Sequence, residues 1–149
     1  MFIEKTDKET ILKPLQVVIG IVERKQALPI LSNVLIEKEP GKIRFTATDL
    51  EIQITTSIEG KAGDGETSAI TVGGKKIQEI LRILPDQSKI SIEAKENKAQ
   101  IKSAKSRFSL QTLPAQDFPK LSNQLAGAKK ITLGQLALKK LLLSVQYAM

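Results

Sequence analysis

The chain has 149 residues, 41% hydrophobic and 26% charged, which is typical of a globular protein with one ordinary core. It contains no cysteine and no histidine, which excludes disulfides and thiol chemistry and removes the commonest zinc ligand. The net charge of +7 suits a polyanionic partner such as nucleic acid, but residues 126–149 contribute four lysines and no acid, and an ordinary lysine-rich surface explains the remaining excess equally well.

A helix is predicted near the start of the chain. Thr6 and Glu9 have the spacing of a helix capping box. An apolar stripe with the helical period follows over about four turns, at Ile11, Leu15, Val18 and Val22. Pro14 lies inside this stripe and removes a backbone hydrogen bond, so we expect a bend or an irregular first half.

Strands are predicted next. Residues 28–31 indicate an extended connection, 34–37 a strand, and Pro40 with Gly41 a turn. Strict alternation of apolar and polar residues then predicts two half-buried strands, each with one wet face. Their apolar positions are Ile43, Phe45 and Ala47 in one strand, and Ile52, Ile54 and Ile58 in the other.

The same order of elements then restarts. Residues 68–72 indicate a short strand, Gly73 and Gly74 open a helix, and Pro85 ends it. The stripe of this helix is Ile77, Ile80, Leu81 and Leu84. Three alternating strands follow, with apolar residues at Ile90, Ile92, Ala99, Ile101, Phe108 and Leu110.

A third start follows a linker at 117–129. Residues 130–133 indicate a strand, and Thr132 with Gln135 again has capping-box spacing. The apolar stripe of the predicted third helix is Leu138, Leu141, Leu142 and Val145.

A strand–helix–strand–strand–strand unit is therefore present twice and begun a third time, unless common elements recur by chance. We predict an α+β fold in which two helices pack side by side on two antiparallel sheets, a duplicated β-α-β-β-β unit. Free strand edges of such sheets can join another copy. The predicted domains are 1–125 and a truncated second domain at 126–149.

Four stretches carry a family resemblance: 11–15 (ILKPL), 28–33 (LPILSN), 48–52 (TDLEI), and 106–114 (SRFSLQTLP) with 117–119 (DFP). In this order and at this spacing they resemble the bacterial DNA sliding clamp, the beta subunit of the replicative DNA polymerase III. The resemblance implies the DNA-clamp fold and a ring of two subunits with three duplicated domains each. Helices would line a hole around duplex DNA, and sheets would form the outer wall.

The resemblance also implies roles for particular residues. DNA contacts are implied for Arg24, Lys25, Lys75 and Arg82. The alternative is a solvated helix end for Arg24 and Lys25, and simple solvation for Arg82. Lys75 and Lys76 lie at the start of a helix, where the helix dipole disfavours cations. Their unfavourable placement therefore indicates a functional role. A subunit interface is implied for Lys76, Lys98, Lys105, Arg107, Phe108 and Leu110. An ordinary core position is the alternative for Phe108.

The predicted function is that of a processivity factor for DNA replication, not an enzyme, in the cytoplasm, with no metal and no cofactor. Its expected partners are duplex DNA, a second subunit in a homodimer, and the polymerase and clamp loader through domains absent from this chain. No membrane partner is expected, since no apolar run approaches the roughly 20 residues of a spanning helix. Two alternatives are a scaffold that self-assembles through sheet edges without DNA, and an enzyme using Asp49 with Glu51 or a Ser/Lys pair.

Overall fold

The computed structural model describes residues 2–22, 28–59, 67–121, 127 and 131–148. This part of the chain contains eight strands and three α-helices in the predicted order, which confirms the duplicated unit. The first unit comprises β1 (Ile3–Asp7), α1 (Lys8–Val18), β2 (Asn33–Glu39), β3 (Lys42–Thr48) and β4 (Gln53–Glu59). The second comprises β5 (Ser68–Gly73), α2 (Gly74–Ile83), β6 (Lys89–Lys95), β7 (Lys98–Ser103) and β8 (Ser106–Gln111), and α3 (Gln135–Val145) follows.

Each unit gives its leading strand to the sheet of the other unit. The two antiparallel sheets have the orders β1-β6-β7-β8 and β4-β3-β2-β5. In the first, Ile3 lies opposite Ile92, and the N–H of Phe2 donates to the carbonyl of Ile92 at 2.9 Å. In the second, Val34 of β2 lies opposite Val72 of β5. The sequence pattern did not predict this exchange, which ties the two repeats into one body.

The core lies between the helices and both sheets. α1 packs against β3 and β4, α2 packs against β2, β5 and β8, and the two helices contact each other. The apolar stripes of both helices enter one continuous cluster with the inner faces of both sheets. Its most completely buried helix residues are Ile11, Leu15, Ile77 and Leu81. The predicted arrangement of two helices on two sheets is confirmed.

Gly74, the first residue of α2, lets that helix approach the first unit closely. A Cβ at this position would lie 3.0 Å from Val34 Cγ2 and 3.5 Å from side-chain carbons of Ile19 and Val22. Val34 is fully buried and cannot move aside easily. Any side chain larger than hydrogen at this position therefore presses on the Val34 side chain.

Lys8 is a buried lysine that joins the start of α1 to the end of α2. Its Nζ donates to the Leu84 carbonyl at 3.0 Å and to Asp86 Oδ1 at 2.8 Å. The backbone N–H of Lys8 also donates to the carbonyl of Ser88 at 2.9 Å. The ammonium thus satisfies a carbonyl at the C-terminal end of α2, where a cation also complements the helix dipole.

The expected wet face of the second sheet is largely covered. The segment 112–121 leaves β8 and crosses this sheet, so that Leu35 and Thr71 are buried although they face away from the core. The Thr71 hydroxyl donates to the carbonyl of Leu113 at 2.7 Å and accepts its N–H at 2.9 Å. At the far end, the N–H of Leu121 donates to Gln53 Oε1 at 2.9 Å, and Phe118 is buried.

Two local predictions about the first unit are wrong, the capping box and the place of Val22 in the helix. Thr6 belongs to β1 and donates to the Glu4 carbonyl, so α1 begins at Lys8 without a side-chain cap, because strand pairing takes the residues the capping box would need. α1 continues through Pro14 as one helix, and Val22 lies beyond a 3-10 turn at Ile19–Ile21.

Other corrections concern connections. The segment at Pro29–Ser32 is a 3-10 turn, with the N–H of Leu31 donating to the Leu28 carbonyl, and is not extended. Ile52 precedes β4 and is exposed. The strand predicted at 130–133 is not formed at 131–134, and residue 130 lies outside the described part of the chain. Gly134 precedes α3 and no side chain caps this helix, so the predicted cap at Thr132 is wrong. No helix among the described residues is long and apolar enough to cross a membrane.

Replacing Gly74 with Val should destabilise the protein by about 1–3 kcal/mol, because the added carbons overpack the contact with Val34. The matched control is Gly20→Val, since a Cβ at Gly20 meets no atom within 4 Å. Urea unfolding followed by circular dichroism would measure both. Equal stabilities of the two variants would contradict the close-approach argument.

Asp86→Asn should lower the unfolding temperature at neutral pH, with the deficit closing in acid. The hydrogen bond from Lys8 and its charge hold the pKa of Asp86 below the ordinary 3.8. A lowered carboxyl pKa contributes stability that is complete above the ordinary value and is lost as pH falls through the folded value. Thermal melts of both proteins between about pH 7 and pH 2 would test this; a deficit independent of pH would refute it.

Candidate nucleic-acid interface and sheet edge

α2 carries three basic side chains on its solvent side. Lys75 is half-buried in the first turn, and Lys76 and Arg82 are exposed. Lys75 and Arg82 are seven residues apart, two helical turns, so they share one side of the helix. The first turn contains no acid and has no side-chain cap, so both lysines face an uncompensated positive helix end. An anion that approaches this end of α2 meets two ammonium groups and the dipole together.

α1 lies beside α2 and adds a mostly neutral stripe. Its exposed side chains are Glu9, Thr10, Lys13, Gln16 and Val17. Because both helices turn their apolar stripes toward the sheets, the exposed stripes lie together on the opposite side of the molecule. Lys13 is a candidate that the sequence reasoning missed, although its place opposite the apolar stripe of α1 was visible as the signal.

This helical surface combines four cations with two anions. The cations are Lys13, Lys75, Lys76 and Arg82, and the anions are Glu9 and Glu79. It holds no aromatic side chain on which a base could stack and little that could read base edges. Such a surface suits weak, sequence-independent attraction to phosphates. Arg24 and Lys25, also predicted to contact DNA, lie outside the described residues.

Asp49 and Glu51 form a turn rather than a carboxylate site. Asp49 Oδ1 accepts the N–H of Ile52 at 2.7 Å and that of Glu51 at 2.9 Å. The bond from Ile52 is the main cause that holds the pKa of Asp49 below its ordinary value. The turn keeps Leu50 at a positive φ of 82° with its side chain exposed. Within the described residues, no group of three His, Cys, Asp or Glu could hold a metal ion.

The six residues predicted at a subunit interface fall on or near β8, an edge strand of its sheet. Phe108 and Leu110 face inward, Phe108 half-buried against the core and Leu110 buried, so both also serve the core. Arg107 is on the outer face, with Lys105 in the turn before it. Lys98 lies opposite Gln111, at the other end of β8. The structure therefore separates Lys98 from Lys105 and Arg107.

Lys76 meets this edge through a groove of about 620 Å³ between the start of α2 and the end of β8. Lys75, Lys76, Leu110 and Leu113 all line it. The structure therefore brings the predicted helix cations and one predicted interface residue of β8 to a single place. Lys76 and Leu110 are 34 positions apart in the chain. No local sequence pattern therefore indicates that they lie close together.

Comparison with known families gives a match over residues 2–122 to the model described as DNA polymerase III beta subunit, N-terminal domain. The chain is 40% identical over 144 residues to the beta sliding clamp of Pseudomonas aeruginosa, covering 95% of this chain and 38% of that protein. It is 37% identical to a beta sliding clamp sequence from Vibrio harveyi, covering 95% and 97%. The chain thus spans about two fifths of the length of most such relatives, 38% for the Pseudomonas protein.

Solved structures agree with the sequence matches. The sliding clamp of Pseudomonas aeruginosa bound to griselimycin superimposes with a TM-score of 0.75 at 42% identity, over 79% of this chain and 32% of that one. The polymerase III beta protein of Caulobacter crescentus gives a TM-score of 0.73 at 36% identity, over 80% and 32%. The α+β fold with two antiparallel sheets is the fold of these proteins.

Proposed function

The chain belongs to the DNA polymerase III beta subunit family, and on that premise we propose that it forms the first domain of a ring that encircles duplex DNA and tethers the replicative polymerase. The observation that carries this proposal is the pair of adjacent helices, α1 and α2, with a continuous polar surface on one side and two sheets behind them. Lys75 and Arg82, with Arg24 and Lys25, supply the phosphate contacts.

The weak positive charge of the helical surface fits a ring that slides. Each phosphate that a protein neutralises releases counterions and adds salt-dependent affinity, so a dense basic patch would hold the ring in place. Lys13, Lys75 and Arg82 are long side chains whose charges can move from one phosphate to the next. Topology then provides the retention, and the charges add only a weak, mobile attraction to the phosphates.

We place the first domain at 1–125 and the start of the second at 126–149. The family match ends at residue 122, close to this boundary. Every described residue of α3 is exposed, including Leu138, Leu141 and Leu142. An apolar helix that stays exposed among the described residues is what we expect of the start of a further unit. Polymerase and clamp loader would bind through the domains that follow.

The second subunit of the homodimer would join at β8. An edge strand offers free backbone groups for a partner strand, and half-buried Phe108 offers apolar surface. Lys105, Arg107 and Lys98 on or beside this strand, together with Lys76, would pair with acidic groups of the partner. The ring performs no chemistry, needs no cofactor and works in the cytoplasm beside the chromosome.

A full-length subunit that begins with this sequence, loaded onto nicked circular DNA by the clamp loader with ATP, should stay on the circle through gel filtration in about 0.2 M salt, where simple phosphate contacts weaken strongly. Cutting the circle should release it, because a ring slides off free ends. Release that depends on salt and not on cutting would indicate surface binding. No retention on either form would favour the alternative, a scaffold without a DNA role.

Phe108→Ala in the same full-length subunit should weaken dimerisation by about tenfold or more, as truncation of a buried aromatic at an interface does. Ile80→Ala is the control, since Ile80 is also half-buried against the core but lies on α2. Sedimentation equilibrium would give the dimer dissociation constants of both variants, and thermal melts would show whether the two variants are equally stable. If both variants dimerise equally well, Phe108 is a core residue only.

A further inference from the structure

Both repeats contain the same three-stranded meander, β2-β3-β4 in the first and β6-β7-β8 in the second. The two meanders pair in the same register, since Glu39 lies opposite Lys42 in the first and Lys95 lies opposite Lys98 in the second. Nine positions that face away from the core therefore correspond between them. They are the first, third and fifth residues of 35–39, 42–46 and 55–59 in the first meander and of 91–95, 98–102 and 107–111 in the second.

The outward positions of the two meanders differ in charge. The first set contains three glutamates and two cations, a net charge of −1. The second set contains four cations and one carboxylate, a net charge of +3, at Lys95, Lys98, Lys102, Arg107 and Glu93. Because the backbone register is the same in both meanders, the fold itself does not require this excess of basic residues. The nine outward residues of the second meander are called the outer basic face below.

The outer basic face is uncovered and its charges are mostly unpaired. None of its nine residues is buried, whereas two residues of the first set are. In the first set, Lys120 Nζ of the covering segment lies 2.6 Å from Glu37 Oε1. On the outer basic face, Lys102 Nζ lies 2.6 Å from Glu93 Oε1, and the other three cations make no ion pair among the described residues. Three positive charges can therefore bind an anion from outside the molecule.

A hollow of about 430 Å³ lies on this face beside the turn between β6 and β7. Lys95 and Lys98 line it, and Glu96 is the one carboxylate that the described residues contribute to its wall. Its other lining residues are Asn97, Gln100, Ser109 and Gln111. Lysine, serine, asparagine and glutamine are among the side chains that proteins use to hydrogen-bond phosphate oxygens. Since neither the hollow nor the face around it contains an aromatic ring, bases cannot stack there, and only the phosphates of a nucleic acid would be bound.

We propose that the outer basic face is a second nucleic-acid surface, which binds phosphates on the side of the molecule opposite α1 and α2. Lys98 and Lys102 are four residues apart on β7, about 13 Å, a length over which one strand of duplex DNA carries about four phosphates. An acidic protein partner fits less well, because the face offers no apolar pocket for an anchoring side chain. The proposal goes beyond the proposed function, in which DNA lies against the helices.

An NMR titration of the ¹⁵N-labelled 149-residue chain with a short duplex would report on the outer basic face and the helical surface separately. Backbone amide shifts at Gln100 and Ser109 should saturate with a dissociation constant of about 10⁻⁴ to 10⁻⁶ M, as for sequence-independent binding. Replacing Lys95 and Lys98 together with glutamine should lower the slope of log affinity against log salt at these amides by about two, one for each lost phosphate contact.

The matched control is Lys38→Gln with Lys42→Gln, in the corresponding hairpin of the first meander. It removes the same two charges and should leave the affinity and the salt slope at Gln100 and Ser109 unchanged. Equal weakening by the two double variants would mean that only net charge matters, and this would overturn the proposal. Circular dichroism would verify that both double variants are folded, which we expect because Lys95 and Lys98 are exposed.

Two further results separate the alternatives. Amide shifts confined to α1 and α2 would also overturn the proposal, because the duplex would then bind the helical surface alone. A glutamate peptide of the same total charge should bind the outer basic face more weakly than the duplex does. Equal or tighter binding of that peptide would assign the face to an acidic protein and overturn the proposal. Retention of the full-length subunit on circular DNA is a separate measurement, so failure here leaves the proposed clamp role standing.

Discussion

The exchange of leading strands between the two repeats is the constraint on which the rest of the structure depends. β1 completes the sheet of the second unit, and β5 completes the sheet of the first. Neither unit can therefore close its own sheet, and neither has a core of its own. One continuous cluster, from Ile11 and Leu15 to Ile77 and Leu81, takes the place of two small cores. A larger shared core buries a greater fraction of apolar surface than two separate ones could.

This exchange also decides what the surface offers. With both sheets on one side, α1 and α2 lie together and expose a single stripe in which Lys75 and Arg82 stand. The sheets end in β4 and β8, which neither leading strand reaches. The helical stripe and the β4 and β8 edges are thus consequences of a single topology. In the proposed ring, the helical stripe would face the enclosed duplex.

A few long-range polar contacts join segments that are distant in the chain, and the sequence pattern shows little sign of them. Lys8 pairs with Asp86, 78 residues away, and Thr71 bonds to Leu113, 42 residues away. In the sequence, Lys8 is one more lysine near a helix start, and only the tertiary fold brings the C-terminal end of α2 to it. Gly74 is similar, because a glycine pair predicts a helix start, whereas the 3.0 Å approach to Val34 depends on how α2 lies across β2.

The sequence by itself determined the order of the elements in the two repeats, the duplication, most of the inward residues and the family, because periodicity and turn chemistry are local and the resemblance lies in short ordered stretches. It was wrong where two local preferences competed: Thr6 could cap a helix, but it pairs in β1 instead. Tertiary structure alone decided the strand exchange, the covered face of the second sheet and the separation of Lys98 from Arg107. The physical reason is that pairing partners, edge status and burial arise between segments distant in the chain, and no local pattern encodes which strand will be the neighbour.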